Sequence, residues 1–298
     1  MTNRLAVHTV CIEDRTMPLA RTFDLVSAAQ VRNGAVPAFN VITMEHAEGI
    51  IDGAEQAHCG VILQVSENAV RYRGGALRPL VMVCRERAAA STVSVAIHLD
   101  HVQDEKLARW GIADSKELGV SSIMIDAAHL PYEENVSLTA ALTTQAHLTD
   151  LWVEAELGEI GGKDGAHAPG VRTDPDEASS FVDSTGVDGL AVAVGSSHAM
   201  TTREAALDIE LIGRIAARLD APLVLHGSSG VPDAVIRDAV QAGIRKVNIG
   251  TALNVGFTSA VRNYLAEHPE ATDPRKYLGP ARNAIADEVA RLCAVVAV

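Results

Sequence analysis

Eight short runs rich in β-branched residues recur along the chain, and the segments between them have the periodicity of amphipathic helices. The runs lie at 36–41, 61–66, 93–100, 122–127, 152–158, 189–195, 222–227 and 246–251. This alternation is typical of parallel strands that are each followed by a helix. Eight strands with intervening helices suffice to close a barrel, so the sequence predicts an α/β fold of the (β/α)8 TIM barrel type. An open doubly wound sheet is the alternative, but no G-x-G-x-x-G motif follows an early strand.

Two helices are expected in addition to the seven that lie between the eight strands. A helix around residues 22–33 would cap the bottom of the barrel, and a C-terminal helical extension is expected from Pro280 onward. The chain of 298 residues suits a single domain, 1–298, because barrels of about 250 residues fold around one core. Hydrophobic residues make up 48% of the chain but aromatics only 3%, which favours a core of Val, Ile, Leu and Ala.

The net charge bears on which partners the protein can bind, and the cysteines bear on its compartment. A formal net charge of -13 without any basic run argues against a nucleic-acid groove or a membrane-binding surface. The 4 cysteines are scattered without a C-x-x-C pair, which favours reduced thiols and a cytoplasmic location. No apolar stretch approaches the ~18 residues of a membrane span, and the N-terminus lacks the apolar segment of a signal peptide. We therefore expect a cytoplasmic protein that binds neither nucleic acid nor membrane.

Polar residues with catalytic potential lie at the ends of the predicted strands. They are Asn40, Ser66, Asp100, His101, Asp126, Glu156, His198, His226 and Asn248. In a barrel these ends meet on one face, where barrel enzymes have their active sites. A single histidine there would more often be a hydrogen-bonded structural residue, but three of them near several carboxylates favour a metal site. Because neutral imidazoles suit zinc, the sequence predicts a catalytic divalent metal held by His101, His198 and His226.

A fourth strand histidine, the lysines and the pattern of strand 1 bear on alternatives to this site. His98 shares strand parity with Asp100, so it should face the barrel interior one layer deeper, as a hydrogen-bonded core residue. A Schiff-base mechanism would need an inward lysine near a strand end, whereas Lys246 is expected at the start of strand 8, and Lys106 and Lys116 in helices. A metal-dependent barrel hydrolase would usually show an H-x-H pair in strand 1, and this chain has none there.

Small residues follow the predicted strands 7 and 8. They are Gly227, Ser228, Ser229, Gly250 and Thr251. Small residues of this kind usually indicate only a tight turn. The loops after strands 7 and 8, however, are the usual phosphate site of a barrel, where backbone amides contact the anion.

The longest aperiodic segment, 158–177, is rich in glycine and proline, and we expect a mobile active-site loop there.

Eight motifs together resemble one enzyme family. They are VPAFN, HLDH, SIMIDAAHLP, VEAELGEIGG, VGSSHAM, LVLHGSSGVP, KVNIGT and HPEATDPRKYL. Through them nearly the whole chain resembles the class II, zinc-dependent ketose-bisphosphate aldolases, the group that includes fructose- and tagatose-bisphosphate aldolases. The resemblance implies reversible aldol cleavage of a ketose (bis)phosphate through an enediolate that is stabilised by Zn2+ or another divalent metal. It also implies dihydroxyacetone phosphate as donor, a phosphorylated sugar as substrate, and a homodimer or homotetramer.

The resemblance also implies roles for individual residues. Asp100 would be the acid/base at the C4 oxygen, while Glu156 and Asp126 match carboxylates of an alternative or outer metal position. Contacts to dihydroxyacetone phosphate are implied for Gly227, Ser229, Asn248 and Thr251. Further candidate substrate contacts at the same strand ends are Asn40, Ser66, Ser228 and Gly250. Arg275 matches an arginine that reaches the second phosphate, often across a subunit boundary, and backbone carbonyls around Gly227 and Ser229 match a monovalent-cation site for Na+ or K+.

The loop after strand 5 departs from the family pattern. The family usually has a glutamate after G-G that moves the proton at C3 of the donor, whereas this chain has Lys163 and Asp164 in that region. Asp164 is therefore the candidate for this step, and its shorter side chain would require the loop to close further. Ala199 and Gly250 also replace the residues usual at their positions. The alternative is a non-catalytic or specialised sugar-phosphate-binding paralogue that has lost the loop glutamate.

Overall fold

Eight parallel strands form a closed barrel in chain order in a computed structural model, which describes residues 19–157, 172–196 and 203–297. The strands are β1 Val36–Asn40, β2 Val61–Ser66, β3 Val95–Val102, β4 Ser122–Ile125, β5 Trp152–Glu156, β6 Gly189–Ala191, β7 Leu223–Leu225 and β8 Ile244–Ile249. Helices occupy the connections between them, so the predicted (β/α)8 barrel is confirmed.

The helices surround the barrel, and several begin at an aspartate. They are α1 Thr22–Val31, α2 Met44–Gln56, α3 Glu67–Tyr72, α4 Leu77–Ala89, α5 Glu105–Ala113, α6 Ser115–Leu118, α7 Tyr132–His147, α8 Pro175–Thr185, α9 Ile209–Ala216, α10 Asp233–Ala242, α11 Thr251–Glu267 and α12 Pro274–Val296. The side chains of Asp104, Asp174 and Asp208 accept hydrogen bonds from first-turn amides of α5, α8 and α9. Such caps satisfy amides that have no partner within the helix.

Helix α1 covers the bottom of the barrel, as the sequence predicts. Ala29 and the partly buried Leu25 pack against Val36 and Ile62, which lie near the starts of their strands. The Thr22 hydroxyl also lies 2.6 Å from the hydroxyl of Ser122 at the start of β4. The helix therefore closes the end of the barrel opposite the strand ends that carry the polar residues.

Helix α12 begins at Pro274, earlier than the predicted start at Pro280. The earlier start is favourable because the Asp273 side chain accepts from the Arg275 amide and Pro274 occupies the first turn. Pro280 instead lies inside the helix.

Several strand boundaries differ from the predicted ones. Strand β8 spans Ile244–Ile249, so Gly250 and Thr251 belong to the beginning of α11 and not to the strand. Lys246 is consequently an interior residue of β8, which corrects its expected position at the start of that strand. Strand β3 continues to Val102, because Asp126 donates its backbone amide to the Val102 carbonyl at 3.0 Å.

The middle of the barrel is polar, unlike the Val, Ile and Leu layers that usually fill barrels of this type. Gln64, His98, Glu154 and Lys246 lie there with 0% exposure. Except for Arg245, their neighbours along the strands belong to the apolar layer between barrel and helices, as the two-residue period of strands requires. Among the described helices, none is long and apolar enough to cross a membrane.

Candidate functional site

A cavity of about 230 Å³ opens at the C-terminal ends of the strands. Its lining comes from strands β1, β2, β3 and β8, the segments that follow β1, β7 and β8, and the first turns of α3 and α11: Asn40, Ile42, Ser66, Asn68, Asp100, His101, His226, Gly227, Ser228, Ser229, Asn248, Gly250, Thr251 and Asn254. The structure therefore brings most of the predicted site residues together. A larger cavity of about 490 Å³ lies beside it against α11 and α12, but Asp100, His101, Asp126, Glu156 and His226, the predicted metal ligands and acid/base residues within the described ranges, do not line it.

Asp100 and His101 are consecutive residues of β3, and both line the cavity. Successive side chains of a regular strand point to opposite faces, so one of them must depart from the regular backbone. His101 has a φ of 48°, and the pairing register with β4 shifts between Leu99 and Val102. A left-handed non-glycine residue is uncommon, and strained residues of this kind cluster at active sites. This irregularity turns the His101 ring into the site beside Asp100.

The rings of His101 and His226 meet in the site. His101 Nε2 lies 2.9 Å from His226 Nδ1, and the two rings are nearly perpendicular. One ligand atom each from His101, Glu156 and His226 lies within 4.8 Å of the others. Two imidazoles and a carboxylate that converge in this way could hold a metal ion.

The outer nitrogen of each ring contacts a buried carboxylate. Asp126 Oδ2 lies 2.9 Å from His101 Nδ1, and Glu154 Oε1 lies 2.8 Å from His226 Nε2. An ionised carboxylate only accepts hydrogen bonds, so these outer nitrogens carry the protons. Because metal-binding histidines usually donate their outer N–H to a carboxylate or carbonyl, the arrangement leaves the two inner nitrogens facing a shared centre.

Charges around His101 and Asp126 shift their pKa values in opposite directions. Burial lowers the pKa of His101, but Asp100, Asp126 and Glu156 outweigh it and raise the pKa to about 10. Burial raises the pKa of Asp126, but the hydrogen bond and charge of His101 outweigh it and lower the pKa to about 2. Without metal, His101 therefore carries a positive charge. The carboxylates that stabilise this charge would also stabilise a bound metal cation.

Asp100 is oriented by two amide side chains. It is 3% exposed, and its oxygens accept from Asn40 Nδ2 at 2.8 Å and Asn248 Nδ2 at 3.4 Å. Gln64 donates to the Asn40 oxygen at 3.4 Å, which sets the orientation of that amide. The Asp100 carboxylate therefore has a defined direction beside the paired histidines, where it can exchange a proton with a bound molecule.

The loops after β7 and β8 are compact and glycine-rich. Gly227 has a φ of 65° and precedes a single 3₁₀ turn, Ser228–Gly230. The Ser228 hydroxyl donates to the Asn248 carbonyl at 2.6 Å, and the Ser229 hydroxyl accepts from the Ala252 amide in the first turn of α11 at 3.1 Å. The beginning of α11 thus lies at the cavity, and helix N-termini favour anions through their amides and dipole.

Some predicted residues are placed elsewhere. Arg275 does not line the cavity; its side chain is 89% exposed and pairs with Asp273. Asp164 and His198 lie outside the described residues, so their roles remain predictions.

Two functional candidates, Glu154 and Lys246, were missed by the sequence analysis. The signal was available, because Glu154 lies two residues before Glu156 in β5 and Lys246 two residues before Asn248 in β8. Residues two apart in a strand point to the same side, so Glu154 and Lys246 are expected inside the barrel if Glu156 and Asn248 face the site.

Comparisons with known proteins identify the family of this chain. The family model described as "Fructose-bisphosphate aldolase class-II" matches residues 20–297. A probable fructose-bisphosphate aldolase from Bacillus subtilis (strain 168) is 41% identical over 276 residues, covering 92% of this chain and 95% of the relative. The crystal structure of the YdjI aldolase from Escherichia coli K12 is 30% identical with a TM-score of 0.78, covering 93% of this chain and 97% of that one.

A second solved structure, that of a putative fructose-1,6-bisphosphate aldolase from Coccidioides immitis, is 29% identical with a TM-score of 0.78 and covers 93% of this chain and 96% of its own. The family match extends over nearly the whole barrel, including every described residue of the cavity. The chain therefore belongs to the class II fructose-bisphosphate aldolase family, and it is an aldolase, a carbon–carbon lyase.

Proposed function

We propose that this aldolase depends on zinc and reversibly cleaves a ketose (bis)phosphate, with dihydroxyacetone phosphate as the donor that it releases or condenses. The observation that carries the proposal is the convergence of the inner nitrogens of His101 and His226, 2.9 Å apart, beside the carboxylate of Asp100. Such a site combines a cation-binding group, which can stabilise an enediolate, with a general acid/base for the C4 oxygen, and metal-dependent cleavage of the C3–C4 bond uses both.

The donor set fits a zinc ion. Imidazole nitrogens suit zinc, and both rings have their outer nitrogens bound to carboxylates. His101 and His226 would hold the ion, with His198 as the third ligand and the buried Glu156 as a nearby carboxylate. Asp126 contacts the outer side of the His101 ring and would orient that ligand. When bound, the ion would supply Lewis-acid stabilisation of the negative charge that develops on the donor oxygens.

Proton transfer is assigned to the residues of the chain. Asp100 takes the proton from the C4 hydroxyl during cleavage and returns it to the aldehyde oxygen during condensation, a contribution of roughly 10²–10⁴ in rate. Asn40 and Asn248 keep its carboxylate directed at that oxygen. Asp164 is proposed to move the proton at C3 of the donor.

The donor phosphate is assigned to the loops after β7 and β8. The left-handed Gly227, the following 3₁₀ turn and the first residues of α11 bring backbone amides to one side of the cavity. Carbonyls around Gly227 and Ser229 are proposed to bind Na+ or K+ at the same loop. A higher activity in K+ or Na+ than in tetramethylammonium at equal ionic strength would support this cation site.

The deciding experiment screens the purified enzyme against a panel of aldehydes with dihydroxyacetone phosphate, with and without a strong chelator. We expect chelation to abolish all turnover and added zinc to restore it. Turnover that persists after metal analysis shows no divalent ion would contradict the proposal. Borohydride with substrate serves as the control for a lysine mechanism, and a trapped covalent adduct would also contradict the metal mechanism.

We also propose a homodimer or homotetramer in the cytoplasm. Of the 17 residues of α11 only Leu253 is fully buried, while Val255 and Leu265 are 45% and 36% exposed. In such an assembly the exposed Arg275 could reach the second phosphate in the site of a neighbouring subunit. Free thiols at Cys59, Cys84 and Cys293 suit a reducing compartment. Light scattering coupled to size exclusion at micromolar concentration tests the assembly, and a monomer would contradict it.

A further inference from the structure

Lys246 is a charged residue in a position where barrels usually have apolar ones. Its side chain is 0% exposed, and its ammonium donates to Glu154 Oε2 at 2.7 Å and to Asn248 Oδ1 at 2.7 Å. A buried ion pair of this kind is often no more stabilising than apolar residues of similar volume. Packing alone therefore does not explain a lysine here, and its two partners indicate what it does.

The first partner, Glu154, connects Lys246 to the candidate metal ligand His226. Glu154 uses one oxygen for the ammonium and presents the other to His226 Nε2 at 2.8 Å. This contact places the proton of His226 on Nε2, so the Nδ1 lone pair faces His101. Lys246 holds the carboxylate in the orientation that keeps this tautomer.

The second partner connects Lys246 to the acid/base residue. An ammonium can only donate, so it selects the oxygen of the Asn248 amide. The nitrogen of that amide must then point away from Lys246, where it lies 3.4 Å from Asp100 Oδ1 and 3.0 Å from His226 Nε2. Because that ring nitrogen already carries a proton, the carboxylate of Asp100 is the acceptor that remains for Asn248.

We infer that Lys246 is a positioning residue that sets two parts of the site at once: the metal ligand His226 through Glu154, and the acid/base Asp100 through Asn248. The inference rests on the proposed zinc-dependent function. A single buried positive charge thus couples the geometry of metal binding to that of proton transfer. Turning the Asn248 amide over would present its NH2 group to the ammonium and break that bond, and moving the Glu154 carboxylate toward either neighbour would lengthen its bond to the other.

Lys246 does not act as a Schiff-base nucleophile in this arrangement. A nucleophilic lysine must reach the substrate carbonyl as a free amine, but Lys246 does not line the cavity and its ammonium is bonded to Glu154 and Asn248. Its position beneath the site, within the barrel, serves orientation and not covalent chemistry.

The experiment replaces the charge and keeps the volume. We expect Lys246→Met to weaken zinc binding roughly 10-fold, because Glu154, the outer partner of His226, loses the ammonium that orients it. Competition with a chromophoric chelator measures the affinity. At saturating zinc we expect kcat to remain at least ~10-fold low, because Asn248 is no longer held toward Asp100. Wild-type zinc affinity together with wild-type kcat would overturn the inference.

Lys246→Met leaves the buried negative charge of Glu154 without its cation, and the variant protein could fail to fold for that reason. A double variant tests the inference in that event. In Glu154→Gln with Lys246→Met the buried charges are removed together, and the Gln carbonyl can still accept from His226 Nε2. We expect this protein to bind zinc better than Lys246→Met but to keep the low kcat. A double variant with wild-type kcat at saturating zinc would overturn the assignment of Lys246 to Asp100.

The matched control is Lys116→Met, since Lys116 is 70% exposed and pairs only with Asp150 at the surface among the described residues. Its zinc affinity and kcat should equal those of the wild type. The zinc requirement of the wild-type enzyme distinguishes failure of the proposed function from failure of the positioning role of Lys246. If the wild type needs no zinc, the proposed function fails, whereas a zinc-dependent wild type with unaffected Lys246 variants refutes only the positioning role.

Discussion

At the scale of single residues, two neighbouring carboxylates of the site have different tasks. Asp100 lies in the cavity and is held by amide donors, while Asp126 bonds the outer nitrogen of His101. The first can exchange a proton with substrate, and the second orients a metal ligand. Substitutions that keep the shape of each side chain should therefore separate catalysis from metal binding.

Asp100→Asn should retain zinc within a few-fold of the wild type but lose at least ~10² in kcat, because the amide cannot serve as a general base. Asp126→Asn should instead weaken zinc binding roughly 10-fold or more, while adding zinc restores most of kcat. Steady-state kinetics together with chelator competition measure both effects. Unchanged turnover of Asp100→Asn would refute its role.

At the scale of elements, the C-terminal helix α12 depends on two glycines of α2. A Cβ atom at Gly53 would lie 2.3 Å from the Ala286 carbonyl oxygen, and one at Gly49 would lie 2.7 Å from that of Arg282. Backbone oxygens cannot move aside as a flexible side chain can. The close approach of α2 and α12 therefore requires residues without a side chain, and this contact attaches the C-terminal extension to the barrel.

Gly53→Ala should destabilise the fold by about 1–3 kcal/mol because the two helices must separate. Gly213→Ala is the matched control, since a Cβ there meets nothing within 4 Å and an alanine in a helix is favoured by about 0.5–1 kcal/mol. Urea unfolding of the zinc-loaded proteins gives both values. Equal stabilities of the two variants would contradict the packing argument.

At the scale of the whole molecule, the free energy of unfolding of the metal-free enzyme should depend on the His101–Asp126 pair. The pKa of His101 is about 10 against its ordinary 6.5, so its contribution is complete below pH 6.5 and is lost as pH rises through about 10. The pKa of Asp126 is about 2 against 3.8, so the same pair is lost again as pH falls through about 2.

With chelator present, we therefore expect the unfolding free energy to decline between pH 6.5 and about 10, and Asp126→Asn to show a shallower decline. Zinc should reverse the trend, because metal binding displaces the proton from His101 and strengthens as pH rises. Denaturant titrations at a series of pH values measure both slopes. A metal-free protein whose stability rises over this range would contradict the charge assigned to His101.

The order of strands and helices and the residues at the strand ends can be predicted from the sequence. Both follow from local information, because hydrophobic periodicity and capping residues act over a few positions. Asn40, Asp100, His226 and Asn248 could be predicted at one face for this reason, since parallel strands of a barrel all end there.

The orientation of these side chains depends on contacts between elements that are distant in sequence. The left-handed backbone at His101 follows from the register of β3 against β4, which no local pattern reveals. The direction of the Lys246 ammonium depends on Glu154, which is distant in sequence and adjacent only in the closed barrel. The metal and proton-transfer geometry therefore arises from contacts between strands, whereas the positions that supply it are already visible in the sequence.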